Sequence, residues 1–440
     1  MSIDEVRRHG PSPVDAALRV HAEDVTTRLA TQRDRWRRGF TRRRVITATG
    51  GIGVAALGAQ LATTRLSFAD PATTKRTLVV VFLRGGMDGL SVVVPTRDSN
   101  LYRMRPNIAV PAAAVLPGDS RFGLHPVLAP VHPLWTTGKM AAVHAVASPD
   151  VSRSHFQAQD CLERGAASLA VRSGWLDRVL EALGPGTTFR AVAEGSSLPR
   201  SLVGASEKLV LRGIGDYRLD GAGGSVRDKS LAALKALYTG VEHPVAAQAA
   251  ATLASLATAR RIAGSPYNPV QPYPGGGFAD ELRDVARLVK AKVGLRVAAI
   301  DVGGWDMHTG LGSVDGGEMR NSLTNLAESI AAFTADLGPS LEDTTVVTMS
   351  EFGRRLAENG NAGTDHGHGG VVMVFGGGLN GGKVHGKWPG LAESALDHGD
   401  VAGLNDYRDV LGELLTARLG IADLTKIFPG HKYTKLGVFK

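Results

Sequence analysis

Seven side chains of this 440-residue chain have the types and the neighbours to hold a cation: Asp88, Asp306, His308, Glu351, Asp365, His366 and His368. They are carboxylates and imidazoles without a thiolate, a set suited to a divalent ion such as Zn²⁺, Mn²⁺ or Ca²⁺. Asp306 and His308 are two positions apart, as are His366 and His368, so on an extended segment each pair faces one side. Glycines beside these positions let the backbone approach a metal or an anion closely. Ser152 and Ser154 follow an apolar run and precede a helical pattern over 156–163. A hydroxyl at a helix N-terminus sits among free N–H groups that favour anions. A metal beside it would lower its pKa and make it a nucleophile. Arg153, between the two serines, would neutralise an oxygen of a phosphate or sulfate.

Each of these residues also has a plain structural reading. Ser152 or Ser154 is equally a helix N-cap, and Asp88 in Gly-Met-Asp-Gly is equally a turn residue. His366 and His368 read as loop histidines when taken alone, and Glu351 could pair with Arg354 or Arg355. Trp305 and Trp388 read as packing residues. His125, His132 and His144 have no partner pattern and read as structural. The single cysteine, Cys161, excludes an intramolecular disulfide and reads as a small buried side chain.

The elements that must position the polar residues are apolar runs rich in β-branched side chains, at 77–83, 140–146, 295–302, 344–349 and 371–375. Such runs predict strands buried on both faces. Helical periodicity appears between them. Residues 278–293 put Leu282, Val285, Leu288 and Val289 on one face, and 323–337 do so with Leu326, Ile330 and Phe333. The Ala/Leu-rich stretch 231–262 predicts two helices broken near Gly240 and Pro244. Alternating strands and helices predict an α/β fold, a mostly parallel sheet covered on both faces. Ligands bind beyond the carboxyl ends of the strands in such sheets. Four of the five runs are followed by an acid, a hydroxyl or a histidine, and the fifth is approached through Thr-Asp-His-Gly-His-Gly-Gly at 364–370. Residues 184–224, punctuated by glycine, predict an irregular insertion within one domain spanning 70–440.

The net charge of +8 is concentrated at one end. Residues 1–69 hold 12 Arg and 6 acidic side chains, leaving 38 basic against 36 acidic groups in the rest. A body so balanced has no polycationic footprint for a phosphate backbone, so nucleic acid is not the expected partner. Thr41-Arg42-Arg43-Arg44 precedes a Gly/Ala-rich apolar run over 45–62, and Ser67-Phe68-Ala69 supplies small residues before a possible cut at Asp70. This order predicts a cytoplasmic n-region and a signal peptide for the Tat export machinery, with Arg42, Arg43 and Ala69 as its marks. A permanent anchor is the other reading, weakened by the glycines, threonines and glutamine in the run. The expected location is therefore periplasmic, at the cell surface or secreted, with no membrane span after cleavage.

At these residues the chain resembles a known family. "FLRGGMDGLSVVVP" at 82–95, "SRSHF" at 152–156, "DVGGWDMH" at 301–308, "SEFGRR" at 350–355, "TDHGHGG" at 364–370 and "KWPGL" at 387–391 occur in order. Together they resemble the Tat-exported bacterial family called domain of unknown function 1501, grouped with the alkaline phosphatase and sulfatase superfamily. The resemblance runs from about Lys75 to the C-terminus. It implies a three-layer α/β/α sandwich, two bound metal ions, and phosphoryl or sulfuryl transfer through a hydroxyl nucleophile. It implies Ser154 as that nucleophile, with Ser152 as the alternative, and Asp88, Asp306, His308, Glu351, Asp365 and His366 as ligand positions. The sequence departs from the wider superfamily in three ways. The Asp-x-His spacing is narrower, Phe352 follows Glu351 where an imidazole is usual, and the sulfatase Cys/Ser-x-Pro-x-Arg motif is absent. The expectation is an exported, metal-dependent hydrolase of phosphate or sulfate esters. The alternative is a non-catalytic metal-binding protein of the same fold acting in an envelope or surface assembly.

Overall fold

A computed structural model describes residues 76–167, 170–218, 224–240 and 244–440. The leader residues Arg42, Arg43 and Ala69 lie outside the described residues. All five apolar runs form strands: β1 (Thr77–Leu83), β2 (Met140–Ala147), β5 (Val297–Val302), β6 (Thr344–Met349) and β7 (Gly370–Gly376). Four shorter strands join them: β3 (Ala191–Glu194), β4 (Leu209–Leu211), β8 (Val384–His385) and β9 (Asn405–Asp406). The order across the sheet is β8-β2-β7-β6-β1-β5-β3-β4, with β9 also on β2. Every pairing is parallel except those of β7, which runs antiparallel to both β2 and β6.

The pleat of β1 shows how the sheet is covered on both faces. Val79, Val81 and Leu83 point into one core with Val285, Leu288, Ile330 and Phe333, from α3 (Gly277–Lys290) and α4 (Glu318–Leu337). Leu78, Val80 and Phe82 point into the other. There they meet Leu162 of α1 (His155–Arg164), Leu176 and Val179 of α2 (Trp175–Ala182), and Leu411 and Leu414 of α5 (Tyr407–Leu419). Each such side chain removed from water contributes about 1.5–3 kcal/mol, so the two-sided burial fixes the register of the central strands. The fold is the expected three-layer α/β sandwich with a mostly parallel sheet.

The Ala/Leu-rich stretch forms two helices, Gly224–Tyr238 and Pro244–Gly264. The described residues fall into two compact units. Residues 76–167, 170–218 and 254–440 form the larger, and 224–240 with 244–253 belong to the other. The expected irregular insertion at 184–224 needs correction, because β3 and β4 lie within it and extend the main sheet. Among the described residues, no helix is long and apolar enough to cross a membrane.

The reversed direction of β7 has a direct consequence for position. Gly370, its first residue, pairs with Val146 near the end of β2. The segment before β7 therefore opens on the same sheet edge as the segments after β1, β2, β5 and β6.

Candidate metal centre

Five segments meet at that edge: 84–88 after β1, 148–155 after β2, 303–308 after β5, 350–355 after β6 and 364–369 before β7. The buried Arg354 ties four of them together. Its Nε donates to the Gly86 carbonyl at 2.6 Å and Nη1 to that of Thr364 at 2.9 Å. Its Nη2 reaches the carbonyls of Gly85 and Trp305 and, at 2.6 Å, Oδ1 of Asp306. The crossing is tight enough to require glycine at one point. Gly85 has φ +126°, and a Cβ there would lie 2.4 Å from the Asp306 nitrogen.

Four donors converge in this frame. His308 Nε2 lies 3.0 Å and His366 Nε2 3.2 Å from Asp306 Oδ1, and the two nitrogens are 2.9 Å apart. His155, the first residue of α1, brings its Nε2 to 3.2 Å from Asp306 Oδ2. Each imidazole is held from behind through Nδ1. The acceptor is the buried carboxylate of Glu351 for His155 at 2.8 Å, the Asp365 carboxylate for His308 at 3.3 Å, and the Arg153 carbonyl for His366 at 2.9 Å. In the neutral tautomer that donates from Nδ1 to these acceptors, the three Nε2 atoms present lone pairs. Buried His155 Nε2 has no hydrogen-bond partner. Convergent lone pairs beside a carboxylate repel one another unless a cation lies among them, and carboxylate- or carbonyl-backed imidazoles are the usual support of a metal ligand. The donor set thus fits a divalent ion.

The electrostatics agree. Burial would raise the Asp306 carboxyl, but the Arg354 guanidinium, with His366 and His155, outweighs it and holds the group down to about 2. Burial works the same way on Glu351, where donation from Gln159, backbone amides and His155 prevails and keeps it below its ordinary value. Burial lowers the His366 imidazole, with Arg354 and His155 acting in the same direction against its contacts with the Arg153 carbonyl and Asp306. A neutral imidazole is the form a metal takes.

Of the residues singled out by sequence, the structure brings Asp306, His308 and His366 together. Glu351 and Asp365 stand one layer behind, holding His155 and His308. Glu351 pairs with neither Arg354 nor Arg355, and it also accepts from the Gly85 amide at 2.9 Å and from Gln159 at 2.8 Å. Asp88 is a correction. It is buried against Arg105, with Oδ1 2.9 Å and Oδ2 2.5 Å from the guanidinium, and Ser91 donates to it as well. Both its oxygens are spent away from the three histidines. His368 is a second correction, with Nε2 at the Ser148 carbonyl and Nδ1 3.3 Å from Asp397. Ser154 occupies the N-cap of α1, but its side chain makes no capping bond. Ser152 donates to Asp150 at 2.7 Å and accepts from the Ser154 amide. Arg153 lines an open cleft with His308, Arg355, Asp365, His366 and His398. Trp305 and Cys161 are buried, as expected.

His155 is the member of this cluster that sequence reading missed. A lone histidine opening a helix carries no spacing signal, and its place within Ser-Arg-Ser-His-Phe was the only hint. Among the described residues, His155, Asp306 and His366 form the one group of three or more His, Cys, Asp and Glu whose donor atoms all lie within 4.8 Å of one another, and His308 extends it on the His366 side, its Nε2 2.9 Å from that of His366. Arg105 occupies the Asp88 carboxylate. Phe352, the residue in the place of the missing imidazole, packs its ring against His155 and His366 at 4.9 and 4.7 Å between centroids.

The sequence profile of a family described as "Protein of unknown function (DUF1501)" matches residues 120–408. No curated protein matches the chain. Among solved structures, the lipoteichoic acid synthase LtaP from Listeria monocytogenes aligns at 10% identity and a TM-score of 0.37, over 88% of this chain and 82% of that one. The C-terminal periplasmic domain of EcEptC from Escherichia coli, in complex with Zn, aligns at 8% identity and 0.31, over 71% and 77%. The PsFucS1 sulfatase from Pseudoalteromonas sp. aligns at 12% identity and 0.33, over 84% and 70%.

Proposed function

Because the chain belongs to the DUF1501 family, whose description assigns no activity, we propose a function from its own site: hydrolysis of phosphate or sulfate esters at a divalent metal centre formed by His155, Asp306, His308 and His366. The observation that carries this reading is the convergence of three Nδ1-anchored imidazoles on the Asp306 carboxylate. Three nitrogens and one oxygen favour Zn²⁺ or Mn²⁺ over Ca²⁺, which takes six to eight oxygen ligands. When bound, the ion supplies Lewis-acid polarisation of an ester oxygen.

The chain's own residues supply the rest. Arg153, on the cleft wall beside His308 and His366, draws in a negatively charged ester and offsets charge that builds during transfer. Ser154 is the nucleophile in this reading. It adjoins the ligand-position residue His155, its side chain is exposed, and its hydroxyl is free of a capping role. Ser152, already bound to Asp150, is the poorer choice. The Arg-rich leader supports export through the Tat machinery, which would place the activity outside the cytoplasm.

The test is elemental analysis with ester turnover on protein from its native export route. One divalent ion per chain is expected, with hydrolysis of a phosphate or sulfate ester. Ser154→Ala should abolish turnover and keep the ion. Unchanged turnover in that variant would remove Ser154 as nucleophile, and protein that binds no divalent ion would overturn the centre.

A further inference from the structure

A second, separately built feature lies on the same cleft. Asp400 is 1% exposed, yet two arginines converge on it. Arg153 pairs with its Oδ2 through Nε at 2.9 Å and also through Nη2. Arg355 places Nε 3.6 Å from Oδ1 and donates from Nη2 to the His398 carbonyl at 2.8 Å. One buried carboxylate thus holds two half-exposed guanidiniums on a cleft whose wall also includes His308 and His366. One acid cannot neutralise two bases, so the trio keeps a net positive charge facing the cleft. Asp365 is the only carboxylate among the lining residues, and it is engaged by His308 and Asn359.

Backbone strain collects at the same place. Among the described residues, five non-glycine residues have positive φ, and two of them, Arg153 at +54° and His398 at +53°, line this cleft. Each strained residue turns its carbonyl to a neighbour on the wall. Arg153 receives His366 Nδ1, and His398 receives Arg355. Strain of this kind persists only where surrounding contacts over-determine it, and it clusters at sites of function.

We infer that Arg153 and Arg355, aligned by the positioning residue Asp400, form a clamp for the terminal oxygens of a tetrahedral oxyanion, which makes the preferred substrate a monoester. This inference rests on the proposed metal centre and specifies its substrate class. A phosphate or sulfate monoester has three non-bridging oxygens, matching one ion and two guanidiniums. A diester has two, and its second organic group would leave one guanidinium facing an uncharged ether oxygen. Charged donors left unpaired in this way are a strong basis for discrimination.

The probe is inorganic phosphate, titrated calorimetrically into the full chain with metal content measured alongside. Arg355→Gln should weaken phosphate binding about tenfold or more while the ion content stays unchanged. It should also erode the preference for an aryl phosphate monoester over the matching diester. Asp400→Asn should give a similar loss at unchanged ion content, and Asp400→Glu should restore part of it. Arg355→Gln, on a half-exposed side chain, decides the question if Asp400→Asn does not fold. Undiminished phosphate affinity in Arg355→Gln, or no phosphate binding by the unaltered protein, would overturn the clamp. Ion-free protein whose phosphate binding still depends on Arg355 would overturn the metal centre and keep the clamp.

Discussion

A histidine offers Nε2 to a metal in only one neutral tautomer, and what selects the tautomer is the acceptor at Nδ1. For His155 that acceptor is Glu351, buried and 196 residues away in sequence. Glu351→Gln should therefore weaken the bound ion about 10- to 100-fold, and His155→Ala should remove it, both measured as metal content after dialysis. Asp88→Asn should do neither. It breaks a buried ion pair with Arg105, so it should cost about 3–5 kcal/mol of stability in a denaturant melt while the ion content is retained. Loss of the ion in Asp88→Asn would return that residue to the site. Asp306, His308 and His366, which the fold brings together, stood out in the sequence as acids and imidazoles beside glycines at the ends of apolar runs. Asp88 looked the same by that measure, since its partner Arg105 lies 17 residues on with no pattern linking them.

The strands were legible for a similar reason of scale. A run buried on both faces is apolar throughout, and β1, β2, β5, β6 and β7 all announce themselves in that way. β3 and β4 are three or four residues long within glycine-rich surroundings, too short for their composition to stand out. Helices α3 and α4 were legible from one apolar stripe each. Glu194, the last residue of β3, is a buried carboxyl within these elements. It is 5% exposed and neither carboxyl oxygen has a hydrogen-bond partner. Burial first, then repulsion from Asp284 and Glu281, pushes its carboxyl from 4.5 up to about 9. Below pH 4.5 both folded and unfolded chains hold this proton. Above it the unfolded chain releases the proton and the folded chain keeps it, so stability falls as pH rises toward 9. Glu194→Gln should match the unaltered protein near pH 4 and exceed it progressively in alkali, by at most about 1.4 kcal/mol per pH unit. Thermal melts at pH 5, 7 and 9 would show this. A difference that stays constant across that range would mean Glu194 is ionised in the fold.

Across the whole molecule, the four side chains of the candidate centre come from three separate connections, after β2, after β5 and before β7. An ion that binds only the folded arrangement adds stability by mass action, about 2.7 kcal/mol when its free concentration is a hundred times the Kd. Chelation should lower the melting temperature accordingly, and an unchanged melt would count against a bound ion in the native protein. No reading of local sequence could have shown which connections meet, because that depends on strand order and on the reversed direction of β7. The same reversal governs when the centre can form. His155 and Glu351 are 196 residues apart, and His366 reaches them only after β7 has paired between β2 and β6. Closing loops of that length costs entropy before the contacts reward it, which slows folding. An ion bound by the assembled centre would act as a latch on the folded arrangement and slow escape from it.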